Sequence, residues 1–516
     1  MKKGKIPMII VAVLLTAAML AGCGAKTDNQ AGTTSVKAAS EQATTQAPTQ
    51  EQLSQTELTY FCPGNGQPTD AALVEEEMNK ILTDKIKATF KLNVIPWGEY
   101  INKMNVLSAS GDAFDLCFSA HWENYMAMAT KGAYADMTEL LPKYASEYVA
   151  EMPAYVIEAA KIKGKQYAAP NLQGLAYSEK LFVNSEIYDK YQLPDSIKSM
   201  DDLDKYMDAI KKGEPGTTPF YMYTKNGIAG PFIHYMQTGL FPIGDQQSVG
   251  QYGADFKVIN QYESDLAKTW YAWARKAYQN GWISKGAATD PGDDNMLKSK
   301  KFVIEFAASS PQFDASNWSA IAPVTMKPID LGMSPTVLTG TCISTMYSIS
   351  ANSKNIDRSM MFINLINTDK KLYNTFCYGV ENKHYVLKDG FVDLPDGVTA
   401  DKLGYNPGMN WMYGFTYNAY LQKGADPNLG QKQLDFDRAA KPEPALGFTF
   451  DPTPVKTELA NCQSVLEEYA PSLECGVIDQ ATGLDNLIAK LKAAGSDKII
   501  EEKQKQLDQW RADNGK

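Results

Sequence analysis

The chain has 516 residues, 44% of them apolar and 21% charged, and a formal net charge of −10. That is ordinary globular composition, too long for one hydrophobic core, and it points to two lobes or domains. An acidic chain without a basic run excludes nucleic acid as a partner and electrostatic adhesion to anionic lipid.

In chain order, Lys2, Lys3 and Lys5 precede an uncharged apolar run from Ile6 to Leu20, then Ala21, Gly22 and Cys23. A basic start, an apolar stretch below the roughly 18–20 residues of a spanning helix, and small residues at a cleavage point predict an export signal over residues 1–22. A cysteine directly after Ala21-Gly22 fits lipoprotein processing, in which the thiol is acylated and becomes the mature N-terminus. Cys23 is the expected lipidation site, and the expected location is the outer face of the cell membrane, held there by acyl chains. Residues 24–56 are rich in Ala, Thr, Gln and Ser and contain no aromatic residue. They cannot bury enough surface to offset their ordering, so they are expected to be a flexible leash reaching on the order of 30 Å.

Leu58–Phe61 predicts a strand ended by Pro63-Gly64-Asn65-Gly66. Asp70 is expected to cap a helix running to about Ala88, with Leu73, Met78, Ile81, Leu82 and Ile86 on its apolar side. Phe90–Ile95 predicts a second strand, stopped by Pro96-Trp97-Gly98, and a helix follows to Gly111. Phe114–Phe118 predicts a third strand, with helical pattern resuming near His121-Trp122. Such alternation predicts a parallel sheet covered by helices. Ligands of such sheets bind beyond the carboxyl ends of the strands, here the loops 63–67, 96–99 and 119–124.

Gly164–Gln173 predicts a short strand leading into a polar turn, and Ala176–Asn184 opens a second lobe. Further helices are expected after Asp201 as a cap and over Tyr262–Asn280, with a strand at Phe302–Phe306. Thr341–Ser350 predicts a return strand, Ile356–Thr368 a strong helix and Lys370–Phe376 another. Residues 386–440 are loop-rich, and Pro454–Tyr469 and Leu484–Ala494 are helical in pattern. The charged final helix, Asp497–Arg511, is expected on the surface. The expected segments are therefore 57–173 in a first lobe, 174–340 in a second, 341–440 as return crossings and remaining lobe segments, and 441–516 as a C-terminal helical region. Crossing strands favour a hinge, and clefts between hinged lobes trap small ligands.

Beyond Cys23 there are six scattered cysteines, none in a C-x-x-C pair. Cys117 reads as a small buried hydrophobe, and Cys462 with Cys475 is the one close pair. Motifs of Ser hydrolases, zinc proteases and nucleotide-binding loops are absent, and three distant histidines (His121, His234, His384) do not suggest a triad or a zinc centre. Asp290-Pro-Gly-Asp-Asp294 lacks the spacing of a calcium loop. A carboxylate-pair glycosidase stays open, because that pair is a spatial property.

Several ordered motifs carry a resemblance. They are the lipobox, Pro96-Trp-Gly-Glu-Tyr100, Ala109-Ser-Gly-Asp-Ala-Phe-Asp115, Gly164-Lys-Gln-Tyr-Ala-Ala-Pro170 and Ser350-Ala-Asn-Ser-Lys-Asn-Ile-Asp357. Together they resemble the sugar-type (family 1) extracellular solute-binding lipoproteins of bacterial ABC importers. Gly447–Glu458 and Lys492–Asp508 are similar to the DUF3502 tail of one subgroup. At Glu381–Tyr385 the chain departs from that subgroup, with Asn382 where glycine is usual. The resemblance implies an α/β, two-lobed type II periplasmic-binding-protein fold, each lobe a mainly parallel sheet flanked by helices, with the ligand cleft at the hinge. It also implies a monomer without cofactor that captures a carbohydrate, typically an oligosaccharide, and delivers it unchanged to a membrane permease. Alternatives are a surface glycan-degrading enzyme, a peptide receptor of the same fold, and a sensor or adhesin.

A sugar site needs flat aromatics beneath the ring and amides or carboxylates at its edge. Trp97 and Trp122 fall in predicted strand-end loops, and either could instead be a packed residue. Asn171 and Gln173 lie at the expected hinge mouth, and Trp411 and Tyr413 in a Gly- and Asn-rich turn of the expected second lobe. Asn65 is a further candidate, or simply the left-handed residue of its turn. Glu305 is the one carboxylate within Phe302–Phe306, facing either inward or solvent.

Overall fold

A computed structural model describes residues 53–516 except 112–113, 124, 223–239, 244–248, 291–301, 312–324, 400–401 and 423–424. The lipobox with Cys23, most of the leash, His234 and most of Asp290–Asp294 lie outside the described residues.

Strand β1 (Thr56–Gly64), helix α1 (Ala71–Ile86), strand β2 (Ala88–Pro96), helix α2 (Trp97–Ser110) and strand β3 (Leu116–Ser119) follow one another as the alternation predicts. β1 pairs in parallel with β2 from Thr56 opposite Ala88 to Gly64 opposite Pro96, and with β3 on its other side. Strand Met346–Ile349 joins antiparallel to β3, and Ala169–Pro170 antiparallel to that. α1 buries Val74, Met78, Leu82 and Ile86, a spacing of four that makes one stripe against the sheet, and leaves Leu73 exposed. The outer edge of β2 is closed by side chains in place of a further strand. Asn79 Oδ1 accepts from Phe90 N, Glu75 Oε1 from Leu92 N and Gln67 Oε1 from Val94 N.

The second sheet is built around Ala176–Asn184. Here the expected mainly parallel pairing is corrected: this strand is antiparallel to Phe302–Ser309, Met326–Asp330 and Thr336–Val337. The chain enters along it from the hinge, and those neighbours run back toward the hinge. Parallel pairs remain at the margins, with Thr218–Phe220 and with Lys441–Pro442.

Two apolar cores result. The first gathers Tyr60, Phe90, Phe118, Tyr347, Phe362, Phe376 and Tyr413. The second gathers Leu181, Trp270, Trp273, Trp282 and Ile304 with Leu466, Leu473, Leu487, Leu491, Ile499 and Leu507 from the last three helices, Lys456–Glu474, Gln480–Ala494 and Ser496–Asp513. The final helix is thus not a surface element throughout. Its charged sequence carries a narrow stripe of Ile499, Lys503 and Leu507 that is fully buried. Among the described residues no helix is long and apolar enough to cross a membrane.

The chain passes between the cores three times, near 173–176, 337–343 and 441–445. Thr336–Val337 pairs with Lys441–Pro442 on one side and with Ala176–Tyr177 on the other, so the crossings form one small ribbon. The six described cysteines are free and buried. Cys462 points its thiol at the Leu491 carbonyl (3.7 Å), and burial raises Cys117 to about 12.

Candidate functional site

Three segments at the carboxyl edge of the first sheet, the start of α2 and two short turns, each deliver one tryptophan. Trp97 follows the last residue of β2, Trp122 sits in the single turn His121–Glu123 just beyond β3, and Trp411 sits in the turn Asn410–Met412. Their ring centroids form a triangle of 6.2 Å (Trp97–Trp122), 6.3 Å (Trp97–Trp411) and 6.4 Å (Trp122–Trp411). Trp97 and Trp411 are within 8° of parallel. Phe118, buried at the end of β3, is the floor, at 5.5 Å from Trp122 and 6.2 Å edge-on to Trp411. Trp122 is 41% exposed, unusual for so large a ring held by so many partners.

Trp122 is fixed by its Nε1, which donates to Ser344 O at 2.9 Å. The Ser344 hydroxyl accepts from Gln173 Nε2 at 2.6 Å and donates to Thr341 O at 3.0 Å. Gln173 Oε1 has no partner among the described residues. Beside these groups a cavity of ≈ 250 Å³ opens at the crossings. Gln173 and Tyr177 of the first crossing, Thr339, Thr341 and Ser344 of the second, and Glu443 of the third line it. His121, Tyr252, Phe448 and Thr449 also line it.

Two buried carboxyls bind the crossings together. Glu443 Oε1 accepts from Thr339 N (2.6 Å) and its Oε2 from the Tyr252 hydroxyl (2.8 Å). Asp437 Oδ1 accepts from Leu175 N (3.1 Å), Ala176 N (2.9 Å) and Gln433 Nε2 (2.9 Å), and its Oδ2 from the Tyr417 hydroxyl (2.8 Å). Burial raises both above the usual carboxylate range, against the pull of these hydrogen bonds. Burial also lifts Glu123, next to Trp122, to about 7.

Of the sequence candidates, Trp97, Trp122, Trp411 and Gln173 come together here. Asn171 and Tyr413 do not face the opening, and the expectation that they do is corrected. Asn171 is 1% exposed, and its Nδ2 donates to Met412 O at 2.8 Å, which ties down the turn bearing Trp411. Tyr413 is 1% exposed and stacks on Phe376 at 3.8 Å, inside the first core. Asn65 is exposed at the same sheet edge but in a separate groove of ≈ 320 Å³ with Gln67 and Asn406; Gly66, not Asn65, takes the left-handed conformation of its turn. Glu305 lies opposite Phe182 in its strand, and its side chain is outside the described residues. Sequence reasoning missed Thr339, Ser344, Tyr252, Glu443, Phe448 and Thr449, which no local pattern joins. Among the described residues no cluster of His, Cys, Asp and Glu has the makings of a metal site.

Chemically, the arrangement offers a broad aromatic surface for C–H faces and, next to it, hydroxyl and amide groups for polyol edges. Residues 65–371 match the family described as bacterial extracellular solute-binding protein, and 444–512 match a domain of unknown function, DUF3502. A carbohydrate ABC transporter substrate-binding protein of Streptococcus pneumoniae is 30% identical over 442 residues, covering 84% of this chain and 86% of the relative. The crystal structure of the N-glycan transport solute binding protein NgtS from the same species superposes with a TM-score of 0.74 at 27% identity, over 88% of this chain and 99% of that one. Its complex with Man5GlcNAc gives 0.62 at 25% identity, over 88% and 98%.

Proposed function

The chain belongs to the bacterial extracellular solute-binding proteins, and on that premise we propose that it is the lipid-anchored receptor of an ABC importer for an oligosaccharide. Residues 1–22 are its export signal, Cys23 its acylated anchor and the leash to residue 56 its spacer. Residues 57–173 with most of 341–440 form one lobe, and 174–340 with 441–516 the other. A permease in the membrane is the partner that receives the solute.

The observation that carries this function is the tryptophan triangle beside a polar cavity. Sugar rings stack on Trp97, Trp122 and Trp411, which present the apolar faces that pyranose C–H groups fit. Gln173 Oε1 and the hydroxyls of Thr341 and Ser344 meet sugar hydroxyls at the cavity, and Asn65 offers an amide further along the sheet edge. The cavity is smaller than the ~300–1,000 Å³ of pockets that swallow a whole ligand, so it takes one end of a chain whose remainder lies on the tryptophans. Ser344 touches both parts, through Trp122 and Gln173, and so links stacking to the hinge. Closure about the three crossings then buries the sugar.

Release without chemistry follows the relatives, which are named as solute-binding proteins. Glu443, the carboxyl group in the described lining of the cavity, has both oxygens engaged in holding the crossings. No cofactor is required for capture of this kind.

The test is a titration of intrinsic fluorescence and melting temperature with Man1GlcNAc, Man5GlcNAc, maltotetraose, xylotetraose and a set of short peptides. At least one oligosaccharide is expected to shift both signals while its mass stays unchanged. A shift with peptides alone overturns the carbohydrate assignment, and release of reducing ends overturns capture without chemistry.

A further inference from the structure

We propose that the C-terminal domain is a working wall of the binding cavity: its first turn supplies the sugar contacts Phe448 and Thr449, and its last helix holds them in place. This rests on the oligosaccharide function proposed above and gives that domain a role in it.

The turn depends on a left-handed glycine and a bond to the second crossing. Gly447 has φ +92°, and its N–H donates to Thr339 Oγ1 at 2.9 Å, fastening the domain's entry to the second crossing. A Cβ at Gly447 would lie 3.7 Å from Ala159 Cα, in the first lobe, and 4.0 Å from Trp510 Cζ2, in the last helix. Phe448 and Thr449, the next two residues, line the cavity. Trp510 backs the Phe448 ring at 5.9 Å, and Phe450 is buried beneath the Lys503 ammonium at 5.5 Å.

The same helix fixes a further lining residue, Tyr252. Lys503 is fully buried and donates to the carbonyls of Val249 (2.7 Å) and Gly250 (3.1 Å). Gln504, one residue on, accepts from Val258 N (2.8 Å) and donates to Phe256 O (3.0 Å). Between these grips strand Gln251–Gly253 pairs antiparallel with Val258–Ile259 and carries Tyr252, whose hydroxyl donates to Glu443 and accepts from Ala445 N at 3.0 Å. A buried ammonium spent on two backbone carbonyls is a costly device for mere packing, and here it sets the position of a cavity residue. The walls so formed offer one ring for a C–H face and a threonine hydroxyl for a sugar hydroxyl.

Calorimetric titration of the full mature chain tests this with whichever of Man1GlcNAc, Man5GlcNAc, maltotetraose and xylotetraose binds the unaltered protein most tightly. Phe448→Ala is expected to weaken binding by about 10-fold and Thr449→Val by roughly 3-fold or more, with Thr449→Val melting as the unaltered protein does. The exposed Lys505→Ala, on the same helix, is expected to leave binding unchanged. Wild-type affinity in both Thr449→Val and a folded Phe448→Ala, while Trp97→Ala binds weakly, overturns the wall and spares the receptor. Should Phe448→Ala fail to fold, Thr449→Val alone decides. No binding of any sugar by the unaltered protein overturns the carbohydrate function and this inference with it.

Discussion

Trp97, Trp122 and Trp411 are held differently, and their removal should differ accordingly. Trp97 and Trp411 lie nearly parallel, with Phe118 edge-on to Trp411, whereas Trp122 stands 41% exposed and is oriented by its bond to Ser344 O. Trp97→Ala and Trp411→Ala are expected to weaken oligosaccharide affinity by about 3- to 10-fold each, the scale of an aromatic contact beyond its area. Calorimetric titration checks this, and unchanged affinity in both variants would remove the stacking surface from the account. Glu443 gives a pH signature. Its folded-state pKa is raised above the ordinary 4.5 by burial, so above 4.5 the folded protein keeps a proton that the unfolded chain has released. Stability therefore falls as pH rises through that window. Glu443→Gln should flatten the decline in melting temperature as pH rises above 4.5, and parallel melting curves would contradict the burial.

At the scale of elements, the last helix shows how far local pattern reaches. Its sequence reads as a solvated face because Lys, Glu and Gln dominate, yet Lys503 stands on the buried stripe with Ile499 and Leu507. No one-dimensional pattern reveals that two backbone carbonyls wait opposite. Lys503→Met should lower the unfolding free energy by about 1–3 kcal/mol, the cost of leaving buried acceptors without a donor, as read by chemical denaturation. A change within error would show that the carbonyls find water instead. Elements governed by their own periodicity were legible: helix Ile356–Thr368 and the β1–α1–β2–α2–β3 order match expectation. Capping was less so. Asp70 makes no cap bond with its side chain; it receives His384 Nε2 at 3.0 Å and Lys383 Nζ at 3.1 Å from far along the chain. The capping box at Met200–Leu203 uses Ser199 and Asp202, not Asp201. Helix Leu429–Ala439 was hidden in a loop-rich stretch because it buries little beyond Gln433 and Asp437. Asn382 takes the left-handed conformation at φ +63°, which asparagine tolerates.

For the whole molecule, three crossings meet in one ribbon, and two carboxyls, Glu443 on the third and Asp437 in the helix that leads into it, hold the other two. Asp437 grips the first crossing at Leu175 and Ala176, and Glu443 grips the second at Thr339. Asp437→Ala is expected to speed hydrogen exchange at the Leu175 and Ala176 amides without affecting β1, because these are the backbone N–H groups its carboxylate accepts from. Equal protection in the variant would show that the ribbon's own pairing suffices. The lobed plan was legible from alternation and motif, but the cavity was not. Its walls come from residues between 121 and 449, brought together only once the chain has crossed the hinge three times.

The central claim is that two lobes close on an oligosaccharide that leaves unaltered. Small-angle X-ray scattering with and without the tightest-binding panel sugar, followed by mass analysis of the recovered sugar, tests it most directly. A smaller radius of gyration in the saturated protein, with the sugar's mass intact, is predicted; an unchanged radius at saturation, or a shortened sugar, would contradict it.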